Sequence, residues 1–247
     1  MHSLHTLLCG LGLVAFAACQ PQTKPAEAPA KPTAPVIPGP DLATLTDSTA
    51  PAQLLEYGRQ YPASEVVVKT RLGNIRVKLY DDTPIHKANF LLLTRKGVFD
   101  ETMFNRVVKG FAIQGGQTSN ARTIRLRRYR LPPEFKPEHF HKKGALGMAR
   151  YDDEQNPGRL SSNTDFYFVI GEKLTPDQSR TMAGRKLSPA QVKAYAEVGG
   201  TPSLDGQYTV FGEIVEGLDV AERIAQEPVD PYKWPVKDIN LKVEVVK

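Results

Sequence analysis

The side chains best equipped for chemistry lie in one short stretch, Phe104-Asn105-Arg106-Val107-Val108-Lys109-Gly110-Phe111-Ala112-Ile113-Gln114-Gly115-Gly116. Arginine stays charged and presents its donors in a rigid fork, and a glutamine amide both donates and accepts. If two strands meet at Lys109-Gly110, side chains alternate between faces: Arg106 and Val108 share one, and Phe111, Ile113 and Gly115 share another, with Ala112 and Gln114 opposite. Twist or a bulge would then bring Arg106, Phe111 and Gln114 to the rim of one groove. One fixed cation, an apolar floor and one amide are poor tools for breaking a covalent bond, but they suit holding a peptide. Taken alone, Arg106 also fits a strand arginine in a weak surface ion pair.

The elements around this stretch read as a barrel. Val66 to Thr70 is a β-branched run, and Ile75, Val77 and Leu79 alternate with Arg76, Lys78 and Tyr80 after a Gly73-Asn74 turn signal. Thr83 and Pro84 open a helix with the apolar stripe Ile85, Ala88, Leu91 and Leu92, stopped at Gly97. Leu218, Ala221, Ile224 and Ala225 mark a second helix, and Ile239, Leu241, Val243 and Val245 a closing strand. Many short strands and two firm helices predict a mainly β domain, a barrel with helices over its openings, across 65–247. A stretch at 174–200 reads as a surface insertion with a helix from Ser188 to Val198, either a neutral excursion or a specificity element.

Composition narrows the class. The chain has 247 residues, 40% hydrophobic and 24% charged, with a formal charge of +5. That excludes a multi-span membrane protein and does not by itself imply nucleic acid. Residues 1–18 read as a signal peptide, and Phe16-Ala17-Ala18-Cys19 looks like a bacterial lipobox with Cys19 lipid-modified. The region has no Lys or Arg ahead of its apolar run, a departure from the usual signal. Residues 19–47, rich in Pro and Ala, predict a disordered linker, and 48–64 a short helical lead-in with Pro51 in its first turn. With Cys9 removed, no cysteine remains for thiol chemistry or a Cys-rich metal site. Gln20, directly after Cys19, is no aspartate retention signal. By analogy with bacterial lipoproteins this points to the cell envelope, at the outer membrane facing the periplasm.

Four blocks in order carry a family resemblance: the stretch from Phe104 to Gly116, then Gly144-Ala145-Leu146-Gly147-Met148-Ala149, Ser162-Asn163-Thr164-Asp165-Phe166-Tyr167-Phe168-Val169, and Leu204-Asp205-Gly206-Gln207-Tyr208-Thr209-Val210-Phe211-Gly212. From Val66 to Val246 the chain resembles cyclophilin-type peptidyl-prolyl isomerases, in their bacterial envelope lipoprotein form. The resemblance implies a closed eight-stranded antiparallel barrel with two capping helices. It implies acceleration of X–Pro isomerisation in exported proteins, with no cofactor and no metal. Such a reaction needs an environment that binds the twisted amide better than either planar form. Resemblance assigns to Arg106 a hydrogen bond to the prolyl nitrogen, whose lone pair appears on twisting. It places Phe111, Ala112, Met148, Tyr167, Leu204 and Tyr208 around an apolar proline pocket, Gln114 on the substrate backbone, and Ala149 where the peptide passes. Read from the residues alone, Phe111, Met148 and Leu204 fit barrel core as well.

The pattern departs from the family at four positions: Ala112 for a usual methionine, Asp165 for glutamine, Ser203 for tryptophan and Tyr208 for histidine. The departures imply retained activity with altered efficiency or sequence preference, and put binding of cyclosporin-type ligands in doubt. They also motivate a second reading, a chaperone or Pro-peptide binding module without useful catalysis. The basic run Arg122, Arg125, Arg127, Arg128 and Arg130 reads as a solvated face or a patch for acidic clients or lipid head groups, not as a nucleic-acid site. His139 and His141 lack a third metal ligand at a known spacing. The expected partners are proline-containing unfolded or loop segments and, through the lipid, a membrane; the expected state is a monomer.

Overall fold

The computed structural model describes residues 38–100, 102–117 and 129–246. The expected signal peptide, Cys19, most of the linker and Arg122, Arg125, Arg127 and Arg128 lie outside them. The packed chain starts earlier than the expected lead-in: Leu42 and Leu45 are already buried, and helix α1 (Ala50–Gln60) follows. Its buried side is Ala50, Leu54 and Tyr57. Gly58 lets it sit close on the next helix, since a Cβ there would come 3.1 Å from that of Ala88. Arg95 donates to the Tyr57 hydroxyl (2.9 Å) and to the Tyr61 carbonyl (3.0 Å), tying the lead-in to the domain.

Strands β1 (Glu65–Thr70) and β2 (Gly73–Leu79) pair antiparallel, with Val66, Val68, Ile75, Val77 and Leu79 inside. The turn falls at Arg71-Leu72, ahead of the Gly73-Asn74 expected, because Gly73 takes φ 131° and resumes the strand opposite Thr70. Helix α2 (Pro84–Arg95) follows. Thr83 makes no side-chain cap to it; the Glu134 carboxylate accepts the Ile85 and His86 amides instead (3.1 and 2.9 Å). Glu134 also holds His86 Nδ1 at 2.6 Å, and His86 Nε2 meets Ser161 Oγ at 2.9 Å. His86 and Ser161 are fully buried, so this row of groups ties loop to helix and reaches no groove.

The chain continues through β3 (Thr102–Val108), β4 (Ala112–Gly115), β5 (Arg130–Leu131), β6 (Ala145–Met148), β7 (Ser161–Ser162) and β8 (Phe166–Val169). Helices α3 (Pro176–Ala183) and α4 (Pro189–Glu197), a 3-10 turn at Pro202–Leu204, β9 (Val210–Glu216), α5 (Leu218–Ile224) and β10 (Asn240–Val245) complete it. Eight strands close an antiparallel barrel in the order β1-β10-β3-β4-β8-β6-β9-β2, and β5 pairs with β7 as a separate ribbon. The expected mainly β, closed eight-stranded barrel is therefore observed, with five helices among the described residues: the four expected, in the lead-in, after Thr83, in the insertion and near the C-terminus, and one more, α3. The insertion carries two of them, α3 and α4. Each starts with a reciprocal capping box, Thr175 with Gln178 and Ser188 with Gln191, around a Pro at the first helical position. No helix among the described residues is long and apolar enough to cross a membrane.

Alternation along the strands makes two apolar clusters. Inward residues such as Phe104, Ile113, Leu146, Phe166, Phe168 and Phe211 fill the barrel with the faces of α1 and α2. Outward residues Ala112, Ala145, Tyr167, Val169 and Val210 form a second cluster on the barrel wall, joined by Phe111, Ala149, Leu204 and Tyr208.

Because Leu54 is fully buried within the first cluster, the lead-in should be part of the cooperative unit. Leu54→Ala is expected to lower unfolding free energy by about 2–5 kcal/mol in urea. A midpoint unchanged from the parent would show that α1 contributes nothing to the fold.

Candidate active site

One extra residue decides where Arg106 points. Phe104 pairs with Gly115 and Arg106 with Gln114, so two steps on β3 match one on β4. This bulge at Asn105 interrupts alternation: Phe104 and Val107 go into the barrel, and Arg106 comes out exposed beside Gln114. The expected partition of faces holds for Ala112 and Gln114, which oppose Ile113. Phe111 belongs to neither strand; it sits in the turn after Gly110 (φ 68°), with the Arg106 guanidinium carbon 5.9 Å from its ring centre.

Arg106, Phe111, Ala112, Gln114, Ala149, Tyr167, Leu204 and Tyr208 line one small cavity of about 130 Å³. Arg150 joins them there. It follows directly on the Met148-Ala149 block, the one signal in the sequence that could have found it. Its side chain is only 4% exposed, donates to the Gln207 and Tyr151 carbonyls (both 2.8 Å) and pairs with Asp153 at 2.6 Å. Its guanidinium carbon lies 4.5 Å from the Tyr208 ring centre. Arg150 therefore clamps one wall, whereas Arg106 is the exposed cation at the rim. Met148 is a correction. On β6, Leu146 and Met148 face the barrel interior, so Met148 is core and Gly147 takes the outward position. That position must be glycine, since a Cβ would fall 2.4 Å from Cζ of the Tyr167 ring.

The groove continues past Gln114, Ala149 and Arg150 into a second recess lined by Tyr129, Arg130, Tyr151, Asn163 and Asp165. Asp165 accepts from the Ser162 hydroxyl at 2.6 Å and lies 3.4 Å from that of Thr164; among the described residues it pairs with no cation. Arg130 is taken by Asp47, which accepts from its amide and its guanidinium.

Beneath the cavity lies a buried polar group. His141 Nε2 meets the Tyr167 hydroxyl at 2.9 Å, and Nδ1 meets Asp205 Oδ1 at 2.9 Å. Burial pushes the His141 pKa down against the pull of Asp205, so the ring is neutral: Nδ1–H donates to the carboxylate and Nε2 accepts from the tyrosine. Burial alone would raise the Asp205 pKa. Hydrogen bonds from His141 and Tyr195 outweigh it and hold the carboxyl below its usual range. Burial raises the Tyr167 pKa well above that of a free phenol. His139 turns elsewhere, to Asp82 at 2.7 Å. Among the described residues no group of three or more His, Cys, Asp or Glu is placed to hold a metal ion.

Residues 65–245 match the family model described as cyclophilin type peptidyl-prolyl cis-trans isomerase. A protein of Staphylococcus saprophyticus named "Putative peptidyl-prolyl cis-trans isomerase" is 33% identical over 187 residues, covering 74% of this chain and 92% of the relative. A Staphylococcus aureus protein of the same name is 32% identical over 181 residues, covering 72% and 89%. Crystal structures of a Cryptosporidium parvum cyclophilin type isomerase share the fold with a TM-score of 0.56 at 21% identity, over 75% of this chain and 98% of that one. A second crystal structure of that protein, in the presence of the dipeptide Ala-Pro, gives 0.55 at 22% identity over 74% and 99%.

A neutral buried His141 has a consequence for stability. Its folded pKa lies below the unfolded value of about 6.5, so the unfolded chain takes up a proton first as pH falls. Stability is full above that value and should decline below it, by up to about 1.4 kcal/mol per pH unit. Asp205, with a depressed pKa, adds stability above about 3.9 that is lost only in stronger acid. Urea unfolding from pH 8 to 5, with the His141 ring followed by NMR, reads this out. A native His141 that titrates near 6.5 would contradict it.

Proposed function

The chain belongs to the cyclophilin-type peptidyl-prolyl cis-trans isomerase family, and from that premise we propose that the cavity beside Arg106 holds the prolyl ring of an X–Pro segment and that Arg106 is the catalytic residue. The observation that carries the reading is the convergence of Arg106, Gln114 and the apolar cavity on one outward face, produced by the bulge at Asn105.

The X–Pro amide resists rotation by roughly 18–20 kcal/mol of resonance. As the bond twists, the prolyl nitrogen becomes pyramidal and its lone pair becomes an acceptor. An arginine fork at the cavity rim donates to that lone pair and finds no such acceptor in the planar forms, so its binding is selective for the transition state. Phe111, Ala112, Tyr167, Leu204 and Tyr208 hold the ring, and Gln114 bonds the flanking backbone. The step transfers no proton and breaks no covalent bond.

The setting of this activity rests on sequence alone. The leader at 1–18 and the lipobox at Cys19 support a protein lipid-anchored in a bacterial envelope, at the outer membrane facing the periplasm. There it would act, as a monomer, on proline-containing segments of exported proteins. Asp165, set in the recess beside the cavity, favours clients with a basic residue near the proline.

Arg106→Ala is expected to lower kcat on a short X–Pro peptide about a hundredfold, the scale of losing one transition-state donor, with the fold unchanged by circular dichroism. If peptide binds but neither protein accelerates exchange in a two-dimensional NMR experiment, the domain is a Pro-peptide binding module. Asp165→Asn should erase the preference for Lys over Glu near the proline; equal ratios in parent and variant would remove Asp165 from specificity.

A further inference from the structure

The insertion at 174–200 reaches the proline cavity through a buried carboxylate. Asp205 directly follows Leu204, a cavity wall. Its Oδ1 accepts the His141 amide (2.8 Å) and His141 Nδ1 (2.9 Å), and its Oδ2 accepts Arg185 Nη2 (2.9 Å) and the Tyr195 hydroxyl (2.7 Å). Four donors use the acceptor capacity of a carboxylate. Two of them come from the insertion: Arg185 lies between α3 and α4, and Tyr195 is in α4. His141, held by Asp205, then accepts the hydroxyl of Tyr167, the wall on the other side of the cavity.

The neck of the insertion is welded to the same place. Gly200 at φ 148° passes so close that a Cβ would lie 2.3 Å from the His141 carbonyl oxygen and 2.6 Å from the Tyr195 ring. Thr201 N–H donates to that carbonyl at 2.8 Å. An excursion of neutral purpose needs neither this approach nor a buried carboxylate at its foot. Removing one donor from Asp205 leaves a buried charge short of partners, and the group shifts to recover one.

We propose that Arg185 and Tyr195 of the insertion are positioning residues for the proline cavity: by gripping Asp205 they set His141, and through it the Tyr167 wall, in the shape that admits a prolyl ring. Neither touches substrate. The grip keeps the Tyr167 hydroxyl engaged with His141, so the cavity presents ring carbons to the proline. A wall that touches the ring alike in planar and twisted forms acts on KM, whereas Arg106 acts on kcat. Tyr195 is the cleaner lever, being fully buried, while the Arg185 side chain is 40% exposed and its contribution is screened.

The inference rests on the isomerase reading, and its test separates the two. In the full-length protein, Tyr195→Phe keeps the ring that packs edge-on against Phe140 and removes only the hydroxyl. It should raise KM for an X–Pro peptide about threefold to tenfold with kcat retained, the scale of coupling between neighbouring groups. In a Tyr167→Phe background it should add nothing, because the link is already cut. Unchanged KM, a loss confined to kcat, or losses that multiply in the double variant would overturn the proposal. Arg185→Ala carries the same test should Tyr195→Phe fail to fold. If the parent protein shows no catalysis, the isomerase reading falls by itself. The positioning claim is then judged by the NMR signals of the Tyr167 ring: displaced by Tyr195→Phe, they uphold it, and unmoved, they overturn it.

Discussion

Strand β8 is buried on both faces, and the rest of the molecule is arranged to satisfy that constraint. Phe166 and Phe168 fill the barrel, where Phe166 meets Phe90, Phe99 and Phe104 edge-on at ring separations of 5.4, 5.6 and 6.4 Å. Tyr167 and Val169 face outward and are covered as well. A sheet face that would ordinarily meet water is therefore an apolar floor. The groove exists because the cover over that floor is incomplete where Arg106, Ala149 and Tyr208 stand apart. Packing inside the barrel and the shape of the site are set by the same four residues.

Covering an outward face with loops leaves backbone groups in need of partners, and two carboxylates meet them, Glu134 partly buried and Asp205 fully buried. Glu134 supplies the acceptor for the first amides of α2, and Asp205 gathers donors from the segment before β6 and from the insertion. Asp205 is worth more than a surface ion pair, since a buried charge deprived of partners is costly. Each carboxylate also binds segments far apart in the chain: His141 and Asp205 are separated by 64 positions, Ile85 and Glu134 by 49. The site is thus held by two kinds of bond. Apolar contacts shape its floor, and fully satisfied carboxylates hold the loops at its edges.

Much of this was legible in the chain itself. Period-two alternation in 65–79 and 239–245 marked barrel strands, because each has one face toward the core. The Pro-led, Gly-stopped apolar stripe after Thr83 marked α2, and Pro189 after Ser188 with the Gly199 stop marked α4 within one residue. The motif from Arg106 to Gln114 announced a groove, and the bulge needed to form it was anticipated as a possibility. Local rules missed α3, which buries only the polar Ser179 and so carries no apolar stripe, and whose start at Thr175 lies in what reads as loop. The family resemblance gave Met148 to the pocket because family blocks record order along the chain and do not say to which side of a strand a residue turns.

What the sequence determined by itself is local: which segments alternate, where helices may start, and which rare side chains could hold a peptide. These follow from dihedral preference and periodicity, which act over a few residues. What only the tertiary structure decided is long-range. It put Glu134, rather than Thr83, at the start of α2; it seated Arg150 against Tyr208; and it brought Arg185 and Tyr195 to the carboxylate beneath the cavity. Those choices depend on which buried donors and acceptors remain unmatched once the barrel has closed. No window along the chain contains that information, because the partners meet only after folding has removed the water that would otherwise have satisfied them.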